Sequence, residues 1–142
     1  MNILTFWLGD ELFGIDLTNV KEINRNIEYT TVPRANKNIV GLFNMRGQVV
    51  TLFNLASILG YQGIDPKGKA TCFILDFETG SADQRGFIID GSGDVIEVHE
   101  SQCELPPANV NSQENKFIKM LVKLDNELLR IVEPPKLLTE LS

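Results

Sequence analysis

What most constrains this chain is the length and spacing of its apolar runs. They are short, they are broken by turn chemistry, and almost none shows the 3.6-residue repeat of a helix. Nine runs read as strands: "NILTFWL" (2 to 8), "LFGIDL" (12 to 17), "EYTTV" (28 to 32), "GQVVTLF" (47 to 53), "ATCFILDF" (70 to 77), "RGFIID" (85 to 90), "DVIEV" (94 to 98), "FIKMLVKL" (117 to 124) and "ELLRIV" (127 to 132). In 142 residues this is the strand density of an all-β barrel or sandwich. Alternate residues of a strand point to opposite faces, so in "QVVTLF" Val49 and Phe53 point one way while Val50 and Leu52 point the other. A strand apolar on both faces has apolar matter on both sides, which calls for two barrels or sheets sharing an interface.

Turns and caps fill in the connections. "DN" at 125 and 126 reads as a two-residue hairpin turn, and "ETGSADQ" (78 to 84) as a longer polar loop. Three short helices are expected. "LTNVKEI" (17 to 23) has Thr18 as N-cap, "NLASILG" (54 to 60) runs from Asn54 to Gly60, and "EPPKLLTELS" places Pro134 and Pro135 where a helix start tolerates a missing N–H. The glycine-rich "GYQGIDPKGK" (60 to 69) is the best internal boundary between two subdomains, with crossover of the terminal segments left open, and "ELPPANVNSQEN" (104 to 115) is a second loop.

Charge and cysteine use exclude several classes of function. A net charge of -6 with scattered Lys and Arg is the wrong sign for a nucleic-acid surface. "MNILTFWLGDE" lacks the basic start of a secretory signal, and no run approaches the roughly 20 apolar residues of a membrane span, so a cytoplasmic location is expected. Cys72 and Cys103 fit neither a secreted disulfide framework nor a CxxC pair and read as free thiols.

Catalytic hardware is sparse. His99 is the one histidine, so any Ser-His or Cys-His system must use it. Glu97, His99 and Cys103 make at most three mixed metal ligands without a fourth. "DGSGD" (90 to 94) lacks the lysine and helix of a phosphate loop, carries the repelling charges of Asp90 and Asp94, and reads as a turn between two strands. An interaction module is what remains.

One tetrad stands out against this background. "NMRG", Asn44 to Gly47, sits inside the apolar stretch "NIVGLFNMRGQVVTLFNLASILG" and reads as a tight turn. Gly47 supplies backbone angles closed to other residues, and the turn aims the Arg46 guanidinium outward.

Four segments, "FWLGDELFGIDLTNVKEI", "TTVPRANKNIVGLFNMRGQVVTLFNLASILG", "GFIIDGSGDVIEV" and "ELLRIVEPPKLL", follow in order and spacing the pattern of CheW-like proteins, the coupling proteins of bacterial chemotaxis. The resemblance covers nearly the whole chain and implies two SH3-like five-stranded β barrels packed around a shared core, with no enzymatic activity and no cofactor. It also implies two partners: the cytoplasmic tip of a methyl-accepting chemoreceptor and the regulatory domain of the histidine kinase CheA, joined in membrane-associated arrays.

By the same resemblance, Arg46 lies at a receptor-facing groove with Glu22 as its ionic partner and Asn44 beside it, and Val20, Ile39 and Leu42 form the apolar wall. Gly41 and Gly47 are assigned to turn geometry, and Asp94, Val95 and Ile96, in the second barrel, to the kinase contact. Thr51 and Asn54 stand where the family usually has a proline and an aspartate, and Phe43 and Met45 where smaller or branched aliphatics are usual, which bears on partner identity. With no receiver or kinase domain in the sequence, a stand-alone coupling protein is expected over a fusion. A detached CheW-like domain that tunes or inhibits another system, and a small metal- or ligand-binding enzyme centred on His99, are the competing readings.

Overall fold

A computed structural model of the chain describes residues 1–33, 36–76, 84–107 and 113–140. It divides into two units, Met1–Asn19 with Gly91–Ser142, and Val20–Asp90. Each is built on one mostly antiparallel sheet.

The first unit uses both ends of the sequence. Its strands are β1 (Asn2–Leu8), β2 (Glu11–Asp16), β8 (Gly91–Glu97), the two-residue β9 (Cys103–Glu104), β10 (Ile118–Lys123) and β11 (Leu128–Val132), in the order β8-β1-β2-β11-β10-β9. A two-residue turn at Gly9 and Asp10 joins β1 to β2, with Leu8 opposite Glu11 and Gly9 at φ 61. The expected "DN" turn joins β10 to β11, closed by the Leu124 N–H donating to the Glu127 carbonyl at 2.8 Å. β2 and β11 run parallel, so the sheet is completed by residues more than a hundred positions apart. Its core is Ile3, Leu12, Val98, Val122, Leu129 and Ile131, with Trp7 and Ile96 packed against it. Burying side chains of this size stabilises a fold by about 2 kcal/mol each. Helix α2 (Pro134–Glu140) opens on its prolines as expected and buries Leu137 completely.

The second unit is continuous: β3 (Val20–Glu28), β4 (Ile39–Met45), β5 (Gln48–Asn54), α1 (Leu55–Ile58), β6 (Lys69–Leu75) and β7 (Gln84–Ile89), with strand order β3-β6-β7-β5-β4. The sheet curls until its two edges meet, because Thr30, just beyond β3, exchanges two backbone hydrogen bonds of 2.8 Å with Leu42 on β4. Gly41 makes that approach possible, since a Cβ there would overlap the Thr30 carbonyl. Phe43, Met45, Val50, Leu52, Cys72, Ile74 and Ile88 fill the interior. Phe87 stacks on Phe73 and meets Phe53 at a tilt, with ring centroids 5.6 and 5.7 Å apart. Asn54 caps α1 as expected, its Oδ1 accepting from the Ser57 N–H.

Several sequence expectations are corrected. "LTNVKEI" is not a helix: a single 3-10 turn (Leu17–Asn19) leads straight into β3. The 3.6-residue spacing of Val20 and Ile23 is overridden by antiparallel pairing with β6. Thr18 is not a cap, since Asp16 Oδ1 accepts from both its N–H and its hydroxyl. "EYTTV" contributes only Glu28, the end of β3, and the bridge at Thr30, whereas β4, unread in the sequence, is a full strand. The chain passes between the units at 19/20 and 90/91 rather than at 60–69, because β6 after that stretch pairs with β3 and β7. The turn between two strands read over "DGSGD" is confined to Asp90, between β7 and β8, and Gly91 to Asp94 are in the strand. Of the loop at 78 to 84 only Gln84, and of that at 104 to 115 all but 108–112, lie within the described residues.

Candidate functional site

In the second unit the tetrad Asn44-Met45-Arg46-Gly47 forms the tip of the β4–β5 hairpin. Met45 pairs with Gln48, leaving Arg46 and Gly47 as a two-residue loop with φ of 51 and 85. Both values are left-handed, as in the type I′ turns whose twist matches that of the flanking strands. Gly47 adopts this geometry freely; Arg46, carrying a Cβ, does so at a cost met by the surrounding contacts. One of these is a hydrogen bond of 2.9 Å from the Gly47 N–H to Asn44 Oδ1.

The other is ionic. Arg46 Nη2 donates to Glu22 Oε2 at 2.6 Å, joining the hairpin tip to β3, the opposite edge strand of the sheet. The hydrogen bond from Arg46 holds the Glu22 carboxyl below its usual 4.5, against the opposing effect of partial burial and with help from Asn24 and Lys21. The same bond raises the Arg46 guanidinium above its ordinary value. Glu22 is 26% exposed and Arg46 69%, so the carboxylate is largely committed while most of the guanidinium faces solvent. A planar fork held on one side keeps donors for a second carboxylate or a carbonyl.

Beside the tip lies a mixed apolar and polar face. Along β4, Phe43 and Met45 point into the core, and Leu42 and Asn44 point out. Across the hairpin Leu42 pairs with Thr51 and Asn44 with Val49. Val49 is 55% exposed, so the two-sided burial expected of this strand fails at Val49 while holding at Phe53. Val49 and Thr51 belong to this face although neither was named among the groove residues. The signal was present: a two-residue turn at 46 and 47 fixes the register that sets Val49 opposite Asn44.

The remaining predicted groove residues scatter. Val20 is half-buried two residues before Glu22, opposite Leu75. Ile39 is half-buried opposite Phe53 at the far end of β4, six residues or about 20 Å of strand from Met45. Gly41 lies within β4 rather than in a turn, and its role is the close approach to Thr30.

Asp94, Val95 and Ile96 fall on β8, an edge strand of the first unit, which also holds the N-terminal strands. Asp94 and Val95 are exposed; Ile96 faces inward opposite Ile3 and packs on the core. The pairing with β1 slips between Leu4 and Phe6, where Gly93 sits against Thr5 and the Thr5 hydroxyl donates to the Asp94 carbonyl at 2.6 Å. Gly93 therefore sits in a bulge, while Gly91 pairs regularly with Trp7.

His99 is exposed and opens a 3-10 turn (Glu100–Gln102), its N–H donating to Gln102 Oε1 at 2.8 Å. Cys103 Sγ lies 3.5 Å from the His99 carbonyl. No group of three or more His, Cys, Asp and Glu among the described residues is placed to hold a metal. Burial pushes the Cys72 thiol up to about 12. No helix of the described residues is long and apolar enough to cross a membrane.

Residues 2–142 match the family model of the CheW-like domain. The chain is 29% identical over 131 residues to chemotaxis protein CheW of Bacillus subtilis, covering 92% of this chain and 82% of that protein. It is 28% identical over 140 residues to chemotaxis protein CheW of Thermotoga maritima, covering 99% and 89%. Its fold is similar to the crystal structure of scaffolding protein TtCheW from Thermoanaerobacter tengcongensis, with a TM-score of 0.79 at 24% identity over 93% of this chain and 88% of that one. With its arginine-tipped hairpin and a family match that spans nearly every residue, this chain belongs to the CheW-like domain family.

Proposed function

We propose that this protein couples the cytoplasmic tip of a chemoreceptor to the regulatory domain of the histidine kinase CheA within membrane-associated arrays. The observation that carries the reading is the outer face of the β4–β5 hairpin, where exposed Val49 and half-buried Leu42 lie beside a guanidinium already held on one side by Glu22. A receptor tip is a helical hairpin, and a helix docks through a few apolar anchors with a polar rim. Leu42 and Val49 supply the anchors; Asn44, Thr51 and Arg46 supply the rim. Ile39, half-buried at the far end of β4, supports its strand in this reading, and half-buried Val20 supports β3 beside Glu22.

The kinase contact is assigned to the β8 edge through Asp94 and Val95, with Ile96 holding the strand on its core. The test uses two separate baits from the same genome, the CheA regulatory domain and a soluble receptor-tip fragment. Capture of the folded protein by both is the expected result. Capture by neither overturns the reading.

A further inference from the structure

An edge strand offers a row of backbone donors and acceptors to any chain that can pair with it, and proteins commonly blunt such edges with Lys, Pro or a covering segment. Among the described residues β8 ends its sheet and pairs with β1, and although a bulge at Gly93 interrupts that ladder, its residues Gly91–Glu97 include no Lys, Arg or Pro. Val95 is 49% exposed on it, flanked by exposed Asp94 and Glu97. From Asp90 to Glu104 the sequence has five acidic residues and no Lys or Arg. The asymmetry extends to the whole unit. Residues 1–19 and 91–142 carry twelve acidic and five basic residues, a net of -7, whereas residues 20–90 carry seven and eight, a net of +1.

This charge decides what can occupy the edge. A second copy pairing edge to edge would set the Asp94 and Glu97 carboxylates of one chain against those of the other, and like charges across a strand pair are destabilising. We infer that the β8 edge takes up an extended, Lys- or Arg-bearing segment of the partner, with Val95 as its apolar anchor and the acidic flanks excluding self-pairing. The inference rests on the assignment of β8 to the kinase contact and names the chemistry of the surface that meets it. Acidic flanks act mainly on the rate of encounter, through attraction that salt screens, while the apolar anchor acts on the rate of departure. The β8 contact is thus the more salt-sensitive of the two docking sites, since the hairpin offers the single rim charge of Arg46 on a unit that is almost neutral.

The experiment measures association and dissociation of the full-length protein with the CheA regulatory domain across a salt series, with receptor-tip binding in parallel. For Asp94→Lys/Glu97→Lys the expected result is a roughly tenfold lower association rate at low salt and a flattened salt dependence, with receptor-tip binding unchanged. Val95→Asp is expected to speed dissociation. The neutral pair Asp94→Asn/Glu97→Gln, which preserves shape, gives an intermediate effect and serves if the reversed pair does not fold. An association rate and salt slope unmoved by both charge variants overturn the inference. If Val95→Asp still weakens binding in that case, the site stands and only its partner chemistry is wrong; if no β8 variant affects kinase binding, the assignment of the site itself has failed.

Discussion

Two arginines, one in each unit, show how similar ion pairs serve different ends. Arg130 on β11 is held three times over: Nη1 lies 2.8 Å from Glu11 Oε2, Nε 3.1 Å from Glu114 Oε1, and the guanidinium sits 5.7 Å from the centre of the Phe13 ring. Its side chain is only 20% exposed, and it ties β11 to β2 and to the 3-10 turn Glu114–Phe117 that precedes β10. Arg46 has one carboxylate, a left-handed backbone and an exposed fork. The first arrangement uses up the cation's bonding capacity in the fold; the second leaves most of it for a partner. The number of contacts and the solvent exposure, not the presence of a salt bridge, separate a structural arginine from an available one.

Removing each side chain should break the comparison open. Arg130→Ala strips the partner from two carboxylates and uncovers Phe13, and the expected loss is about 2 kcal/mol of stability, read as a shift of several degrees in thermal unfolding. Arg46→Glu should leave unfolding nearly unchanged and weaken receptor-tip binding at least tenfold, as for a charge at an interface rim set against its former partner. Exchanging the pair, Glu22→Arg with Arg46→Glu, should restore part of that binding, because coupled positions depart from additivity.

Acid sharpens the contrast further. The Glu22 carboxyl is held below 4.5, so the pair contributes fully above that value and is lost as pH falls through the lowered midpoint. A carboxyl NMR titration should find the Glu22 midpoint below 4.5 and return it toward 4.5 in Arg46→Gln. The smallest effect is expected at the cysteines, which report on the units separately. Cys103 is half-exposed and should react with a thiol reagent in the native protein, while Cys72, buried with its pKa pushed up to about 12, should not. Arg46→Glu should leave Cys72 protected, because the pair lies outside the core that covers it.

Local chemistry made much of this legible. β1, β5, β10 and β11 follow from their apolar runs, α1 from Asn54 and the hairpin tip from the tetrad. What failed was decided by distant pairing. Val20 to Glu28 has a helix-like start but is claimed by β6, and β4 is interrupted by Gly41, whose reason for being glycine is a carbonyl eleven residues away. The glycines of 91 and 93 were read as a turn because a bulged edge strand and a turn use the same residues. The partnership of Glu22 with Arg46 spans 24 residues and was readable only through the resemblance to a family, never from spacing.

The parallel register of β2 with β11 has a consequence for how the protein is made. During synthesis every strand of the second unit leaves the ribosome before β11 exists, so residues 20–90 can complete their hydrogen bonds while β1 and β2 still wait for a neighbour. The early hairpin, apolar on both faces, is then an unfinished sheet with an open edge for as long as translation of residues 91 to 132 lasts. At about 5 to 20 residues per second that interval is several seconds, long on the scale of chain collapse and long enough for a chaperone to matter.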